Sequence, residues 1–387
     1  MDTLNLVWLL LPVAAACGWW AAVRSLRKPS PKSAAMWHSP ACFRGLHHVL
    51  NEEPDKAIAV FSEMLAVDNE TIETHLVLGS LFRQRGELER AVRVHQNLLA
   101  RPALKLEQQA QVLLELGRDY MQAGLLDRAE AVFQDLRTKK QLVPEALQHL
   151  RTIFQQEKDW LACLQTSEAL EKVGGEDLSL EKSHFFCELA AEARQTNQMK
   201  QAKRYLQRAL AMHRNCVRAQ HLLGQIAWQA GQSTVALRYW HATVKQDPAY
   251  LPELWSELLA AHRALGSLDT LQDILVQACA AAPELGVELL QAELIQQRAG
   301  REQAALFLAS YVQQSPSVIG VAAWLKQYAA EGSDPTQLRI LSTVLQRLLA
   351  QKTAYQCSQC GFQARALHWQ CPRCLTWSTV RRRLVKW

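Results

Sequence analysis

A small residue recurs along the middle of the chain at intervals of about 34 residues. The recurring positions are Ala57, Ala91, Ala129, Ala162, Ala202, Ala236, Thr270 and Ala304. Twelve residues earlier, several units have Gly45, Gly79, Gly117, Ala190 or Gly224, and four residues later stand Phe61, His95, Phe133, Leu206, Trp240, Ile274 or Leu308. A repeat of this length is one supersecondary unit that buries its apolar face only against its neighbours. The spacing therefore predicts stacked helix hairpins and an all-α body.

The pattern resembles the tetratricopeptide repeat over roughly residues 40 to 316. The resemblance is clearest from Leu116 to Tyr120, followed by Gly124, Ala129 and Phe133. Glycines between paired helices suit a turn that needs positive φ. Stacking such units gives a superhelix with a concave groove, which binds peptides or proteins. We predict that this array spans residues 40–350.

Side chains from the first helix of each hairpin should line that groove. In the best-matched units these candidates are Arg83, Gln84, Arg118, Gln122, Gln225 and Trp228. They are predicted partner contacts, and the alternative, ordinary solvent-exposed helix surface, remains open for each. His75 and His149 have no sequence partner, so we interpret them as capping or packing residues.

Composition and charge narrow the class of protein. Hydrophobic residues make up 49% and charged residues 21% of the 387 residues, and only 16 glycines and 13 prolines occur, which excludes collagen-like and largely disordered chains. Charge is uneven, with +3 over residues 1–32, −6 over 33–334 and +9 after Asp334. The basic tail includes Arg381, Arg382 and Arg383, which we predict contact anionic lipid or an acidic partner. A solvated charge run is the alternative.

The first residues predict a membrane anchor. Leu4 to Val23 contains no charged residue, and twenty helical residues span about 30 Å, the thickness of the hydrocarbon core. Trp8 lies near one end, and four Lys or Arg residues follow the span, which predicts a short external N-terminus and a cytoplasmic body. We therefore expect an anchor over 1–23 and a basic juxtamembrane linker over 24–39. A cleaved signal peptide would need a basic start, which is missing.

Four cysteines near the C-terminus have metal-ligand spacing. Cys357 and Cys360 form one C-x2-C pair, and Cys371 and Cys374 form a second after ten residues. Two such turns complete a tetrahedral four-thiolate site for one iron or zinc ion, and the spacing does not select between them. Because the protein supplies all four ligands, no open position remains for water or substrate, so hydrolysis is not expected.

We predict that this small module spans residues 351–387 and needs its ion to fold, because so short a segment buries little apolar surface. It resembles the rubredoxin or zinc-ribbon knuckle pair, with Gly361 closing the first turn. Ser358 and Leu375 replace the usual first proline and second glycine, which weakens an electron-transfer interpretation. Around the site, Tyr355, Phe362, Trp369 and Trp377 are expected to wrap the knuckles, with His368 a packing neighbour.

The order of anchor, repeat array and four-cysteine module resembles the lipopolysaccharide assembly protein B (LapB) family over the whole chain. Supporting segments are Leu9 to Ala16, Leu116 to Met121, Cys360-Gly361-Phe362, Cys371-Pro372 and Trp377-Ser378-Thr379. The resemblance implies a non-enzymatic adaptor of the bacterial inner membrane, with a short periplasmic N-terminus and a cytoplasmic body. That adaptor presents the deacetylase LpxC to the membrane protease FtsH, works with other lipopolysaccharide assembly proteins and restrains lipopolysaccharide synthesis. The resemblance implies iron bound by the four cysteines and carries over no catalytic residue. Whether the chain forms a homodimer is left open.

Three other functional classes compete with the adaptor interpretation. A rubredoxin-like redox or metal-sensing membrane protein is the alternative, since thiolate-bound iron can shuttle electrons. A nucleic-acid binder would use the basic tail and show a steep salt dependence, and we predict no nucleic-acid binding. Enzyme activity is the least expected, because the sequence shows no nucleophile-base set, phosphate-binding glycine loop or HExxH-like pair.

Overall fold

The structure is a computed structural model of the chain. It describes residues 40–51, 53–67, 72–102, 104–281, 287–328, 335–350 and 353–382. The predicted anchor over 1–23, the linker over 24–39 and Arg383 lie outside the described residues. Within the described ranges, no helix combines the length and the apolar character needed to cross a bilayer.

The chain divides into two compact units, the first ending at Gln156 and the second beginning at Glu157. The helices of the first part of the chain are α1 (Pro40–Leu50), α2 (Pro54–Val67), α3 (Ile72–Gln84), α4 (Leu88–Leu99), α5 (Leu106–Gln122), α6 (Leu126–Thr138) and α7 (Val143–Glu157). Neighbouring helices pack as α1 with α2, α3 with α4, and α5 with α6, which are the predicted hairpins.

The second unit continues the hairpin pattern and ends in a small sheet. Its helices are α8 (Trp160–Gly174), α9 (Ser179–Gln195), α10 (Met199–Met212), α11 (Val217–Gln229), α12 (Ser233–Gln246), α13 (Leu251–Ala264), α14 (Asp269–Ala281), α15 (Glu288–Ala299), α16 (Arg301–Gln314), α17 (Val318–Tyr328) and α18 (Pro335–Ala350). A 3-10 turn, Pro248–Tyr250, precedes α13. The strands are β1 (Tyr355–Cys357), β2 (Gln363–Ala364) and β3 (Val380–Arg382).

The turn inside several of the described hairpins is fixed by one residue with positive φ. Gly86, Gly124 and Gly231 have φ values of 83°, 73° and 74°. The next N–H then reaches back to cap the first helix, as Leu125 N–H does to Tyr120 O at 2.9 Å. Five residues after the turn glycine, the small residue of the repeat starts the buried face of the second helix.

Two of the helix hairpins depart from the predicted register. Cys163 is fully buried where Ala162 was expected, and Leu271 is fully buried where Thr270 was expected. The turn position explains the first shift, because Lys158 has φ of 60° and lies five residues before Cys163. Without a glycine there, the sequence gives no mark of the turn. Gly266, with φ of 65°, similarly lies five residues before Leu271.

The glycine twelve residues before the small residue makes room for the partner helix. A Cβ atom added at Gly224 would lie 2.2 Å from Nε1 of Trp240, and one at Gly117 would lie 2.6 Å from the Phe133 ring. Such distances are shorter than any van der Waals contact. The ring of the second helix therefore occupies the space that the glycine leaves on the first.

The C-terminal segment, which we call the ribbon (residues 353–382), forms a three-stranded sheet in the order β2-β1-β3. Both pairings are antiparallel, with Tyr355 opposite Ala364 on one side and Arg382 on the other. Its interior consists of Tyr355, Cys357, Ala364, Cys371 and Val380. Two of the five are cysteines, so apolar burial alone contributes little to its stability.

Candidate metal centre

The first knuckle begins where β1 ends. Gly361 takes a left-handed conformation, with φ of 72°, and its N–H donates to Cys357 O at 3.0 Å. The N–H of Cys357 donates to Phe362 O at 2.8 Å, which closes the turn across β1 and β2. The tight loop turns the side chains of Cys357 and Cys360 toward one point, as the spacing predicts.

The second knuckle repeats this geometry with leucine in the glycine position. Leu375 has φ of 57°, and its N–H donates to Cys371 O at 2.9 Å. The N–H of Cys371 donates to Thr376 O at 3.0 Å. A leucine in the left-handed region costs roughly 1–2 kcal/mol, because its Cβ crowds the following carbonyl. The second knuckle is therefore the strained one.

The four cysteine sulfurs of the two knuckles lie within 4.8 Å of one another. Cys357 Sγ is 3.7 Å from Cys374 Sγ, and Cys360 Sγ is 3.6 Å from Cys371 Sγ. A regular tetrahedron with metal–sulfur distances of about 2.3 Å has edges of about 3.8 Å, so these separations fit a four-thiolate ion. Cys357 and Cys371 are buried, whereas Cys360 and Cys374 are half-buried. The geometry fits zinc or iron equally well.

Hydrogen bonds prepare two of the thiols for ionisation. Burial alone would raise the pKa of Cys357, but bonds with the Thr379 hydroxyl and the N–H groups of Cys360 and Gln359 lower that pKa to about 6. Bonds with the Thr376 hydroxyl and N–H lower the pKa of Cys374. Because the thiolate is the metal ligand, the lowered pKa values favour binding of a cation.

Replacing Leu375 with glycine should stabilise the ribbon by about 1 kcal/mol, since glycine adopts positive φ without the Cβ penalty. The measurement is the rate at which a chelator strips metal from the purified full chain, and we expect the rate to fall. Leu367→Gly, at a half-buried ribbon position without positive φ, is the control and should speed metal loss. Equal rates for Leu375→Gly and the unmodified chain would contradict a strained knuckle.

The ribbon packs against the helices of the second unit through aromatic rings. Trp377 stacks on His184, with ring centroids 4.8 Å apart and an interplanar angle of 15°. Phe185 and Trp160 meet the same indole edge-on, at 6.0 and 6.4 Å. His184 Nε2 lies 2.8 Å from Ser378 Oγ, a hydrogen bond between residues 194 positions apart. We call this contact the docking seam.

A second patch of the docking seam lies on the 3-10 turn. Trp369 stacks on Tyr250 at 5.6 Å and 12°, and the guanidinium of Arg218 lies 5.8 Å from the Trp369 ring centre. The prediction that Trp369 and Trp377 wrap the knuckles is wrong, because both rings face the helices. His368, expected to pack beside the site, is exposed. Tyr355 and Phe362 do lie in or against the ribbon core.

Two basic residues of the tail also point at the array. Arg381 pairs with Asp247 and covers the Tyr250 ring at 5.0 Å. Arg382 lies 3.6 Å from Glu253, which also accepts a hydrogen bond from the Tyr355 hydroxyl at 2.6 Å. Within the described chain, the acidic partners of these arginines are therefore internal. Contact of Arg381, Arg382 and Arg383 with lipid stays a prediction, and Arg383 lies outside the described residues.

Stability of the seam should fall in mild acid because of His184. Burial, with help from Arg218 and His213, lowers the pKa of His184 from 6.5 to about 3. The unfolded state then binds the proton more readily, so stability is present above pH 6.5 and is lost as pH falls toward 3. At pH 5.5 the loss is about 1.4 kcal/mol.

The measurement is thermal unfolding at pH 7.5 and 5.5. Replacing His184 with glutamine should shrink the pH-dependent fall in Tm, whereas His368→Gln, at an exposed ribbon position, should leave it unchanged. An identical pH dependence in the His184→Gln protein would exclude His184 as the titrating group.

Several predicted groove residues form hydrogen bonds or ion pairs with other residues of the chain. Arg83 on α3 bonds to Glu115 at 2.6 Å and to Asp119 at 2.7 Å, both on α5, and its side chain is 13% exposed. Arg118 donates to Glu115 at 2.6 Å and to His149 at 3.2 Å. These bonds connect the first helices of successive hairpins. Gln84 and Gln122 on the same helices are exposed.

The second unit has a similar polar link. Gln225 accepts from Arg194 at 3.1 Å and donates to Glu257 at 2.7 Å, which joins α9, α11 and α13. Trp228 is half-buried against the core, with its ring 6.4 Å from that of Trp240. Binding by Arg83, Arg118, Gln122, Gln225 and Trp228 thus stays a prediction, with Gln122 the most accessible of the five.

Sequence reasoning missed the helical side of the docking seam. Its members are Trp160, His184, Phe185, Asp247, Tyr250 and Glu253. No local pattern marks them, because their partners lie more than a hundred residues further along the chain. The one available signal was the presence of both Trp369 and Trp377 in so small a ribbon. Two indole rings have more apolar surface than its interior can bury.

Comparison with known proteins agrees with this architecture. The description "Rubredoxin metal binding domain" belongs to the family model matching residues 355–382, and tetratricopeptide repeat models match residues 74–110 and 187–250. Lipopolysaccharide assembly protein B of Escherichia coli (strain K12) is 34% identical over 382 residues, covering 98% of both chains. The protein of the same name from Haemophilus influenzae is 31% identical over 390 residues, again covering 98% of both.

The chain belongs to the lipopolysaccharide assembly protein B family. The match runs through the helices and the ribbon alike, so it includes both sides of the docking seam. Among solved structures, the chain is similar to a tetratricopeptide repeat protein from Parabacteroides merdae, with a TM-score of 0.36 and 11% identity over 79% of this chain and 97% of that one.

Proposed function

We propose that this LapB-family protein is a non-enzymatic adaptor of the bacterial inner membrane that regulates lipopolysaccharide synthesis. In this proposal it presents the deacetylase LpxC to the membrane protease FtsH and meets other lipopolysaccharide assembly proteins. One span, a short periplasmic N-terminus and a cytoplasmic body would confine the hairpin array to the membrane surface. Confinement raises the effective concentration of partners already held there.

The observation that carries the proposal is the joint between ribbon and array. Four protein thiolates complete the metal coordination, which leaves the ion a structural role. Trp377 and Trp369 then fasten the ribbon to α9 and to the turn before α13. A module built this way supplies a rigid shape rather than a reaction, which is what an adaptor requires. Full-length identity of 34% to a protein named for lipopolysaccharide assembly supports the same role.

The test compares three forms of the protein in detergent-solubilised membranes: the intact chain, a chain lacking residues 353–387, and the Leu306→Ser control. Leu306 is exposed on α16, away from the ribbon contacts described above. We expect the intact and control forms to capture both LpxC and FtsH, and the shortened form to lose at least one. In cells, LpxC should persist longer with the shortened form. Unchanged LpxC turnover would count against the adaptor role.

A rubredoxin-like redox role is the second candidate, favoured by the half-buried Cys360 and Cys374. Surface thiolates are where an electron-transfer partner would approach the ion. Zinc has no redox chemistry, so it separates the two candidates. We expect zinc-loaded protein to sustain LpxC turnover as well as iron-loaded protein, whereas a redox protein would lose its function with zinc.

A further inference from the structure

Helix α18 has a buried side and an apolar outer side. Ser342 is buried and Leu345 is half-buried where α18 packs on α17. On the other side stand four exposed apolar residues, which we call the outer stripe. The outer stripe consists of Ile340, Leu341, Val344 and Leu348, which are 59%, 47%, 45% and 51% exposed.

The outer stripe is continuous along the helix. Positions i, i+1, i+4 and i+8 fall on one side of an α-helix, and eight residues extend about 12 Å along its axis. The last helix of a repeat array ordinarily turns a polar face to water, since no further repeat covers it. Contiguous exposed apolar surface marks an interaction site. The outer stripe therefore needs a partner.

Charge identifies that partner. Helix α18 contains Arg339 and Arg347 but no acidic residue, and no Asp or Glu follows anywhere up to Trp387. Arg347 is exposed, and none of the ion pairs between described residues involves it. Two copies of α18 face to face would bring the two exposed Arg347 side chains together without a carboxylate on either helix. An anionic bilayer offers both a hydrocarbon boundary for the stripe and negative charge for the arginines.

We propose that α18 lies in the surface of an anionic bilayer, with the outer stripe at the headgroup boundary. The inference rests on the proposed membrane location of the chain, to which it adds a second attachment point near the C-terminal end. Sixteen helical residues, about 24 Å, are too few to cross the hydrocarbon core but long enough to lie along it.

The test is hydrogen–deuterium exchange of the full chain in lipid nanodiscs. One set of discs contains phosphatidylglycerol and the other only phosphatidylcholine. Exchange in residues 335–350 should slow about fivefold or more in the anionic discs alone. The double substitution Ile340→Ser/Val344→Ser and the charge reversal Arg347→Glu should each abolish the slowing. The matched control Val276→Ser/Leu306→Ser removes two apolar residues elsewhere that are each 59% exposed, and it should preserve the slowing.

Other outcomes overturn the proposal. Slowing in both kinds of disc that disappears on dilution would assign the outer stripe to a second copy of the chain, and slowing in neither would leave it without a lipid role. If the chain elutes apart from the discs, the proposed anchor fails. The eluted chain is then mixed with phosphatidylglycerol vesicles, where slowing in residues 335–350 supports the stripe independently and its absence refutes both.

Discussion

Replacing Cys371 and Cys374 with serine is expected to unfold the ribbon and separate it from the helices. A structural four-thiolate site contributes on the order of 10 kcal/mol of folding free energy, far more than this small interior can replace. The purified variant should hold almost no metal, compared with about one ion per chain in the unmodified protein. Protease should cleave residues 353–382 rapidly while the helical units remain intact.

The control for that experiment is Cys279→Ser, because Cys279 is a half-buried free cysteine on α14 and lies outside the cluster of four sulfurs. It should keep its metal and its resistance to protease. Replacing Cys371 and Cys374 should also expose Trp377 to solvent, so the tryptophan fluorescence of that variant should shift to longer wavelength. A metal-free ribbon that still resists protease and keeps Trp377 buried would show that apolar packing alone holds it.

Replacing Asp119 with alanine is expected to destabilise the first unit by roughly 3–5 kcal/mol, the usual cost of removing one partner from a buried ionic group. Asp119 is fully buried between Arg83, at 2.7 Å, and His95 Nδ1, at 2.5 Å. Burial lowers the pKa of Arg83, but the bonds to Asp119 and Glu115 outweigh it and raise that pKa. Without the aspartate, a charged guanidinium remains in a largely dry site.

Calorimetry and hydrogen exchange of residues 72–138 would measure that loss. Asp135→Ala is the matched control, since Asp135 forms an exposed pair with Lys139 at 2.7 Å on the same unit. An exposed pair of this spacing contributes about 0.5 kcal/mol or less. Asp119→Asn keeps a hydrogen-bonding group and should fall between the two. Equal stability of the Asp119→Ala and Asp135→Ala proteins would show that the buried network contributes nothing.

Features encoded within a few residues were predictable from the sequence. The turn glycines Gly86, Gly124 and Gly231 and the paired cysteine knuckles depend on local backbone conformation, so their spacing alone identifies them. Where the same conformation is carried by Lys158, with φ of 60°, no residue type indicates it. That is why the register of the unit around Cys163 was misplaced by one residue.

Features that join distant segments were not predictable. His184 and Ser378 meet only because α9 and the ribbon are brought together by everything between them. The internal role of Arg83 was closer to reach, because Glu115 and Asp119 lie 32 and 36 residues further on, near one repeat length. A search for opposite charges about one repeat apart would have found Arg83 with Glu115 and Asp119. Treating each surface residue in isolation misses this signal.

The separation of 194 residues between His184 and Ser378 also governs the order of events during synthesis. The ribosome completes α9 long before it synthesises Trp377. The aromatic side chains of Trp160, His184 and Phe185 therefore lack their ribbon partner until translation is almost finished. A chain that terminates before Trp377 keeps this aromatic surface exposed permanently. Incomplete chains would thereby expose apolar surface to chaperones and quality-control proteases, whereas completed chains would bury it.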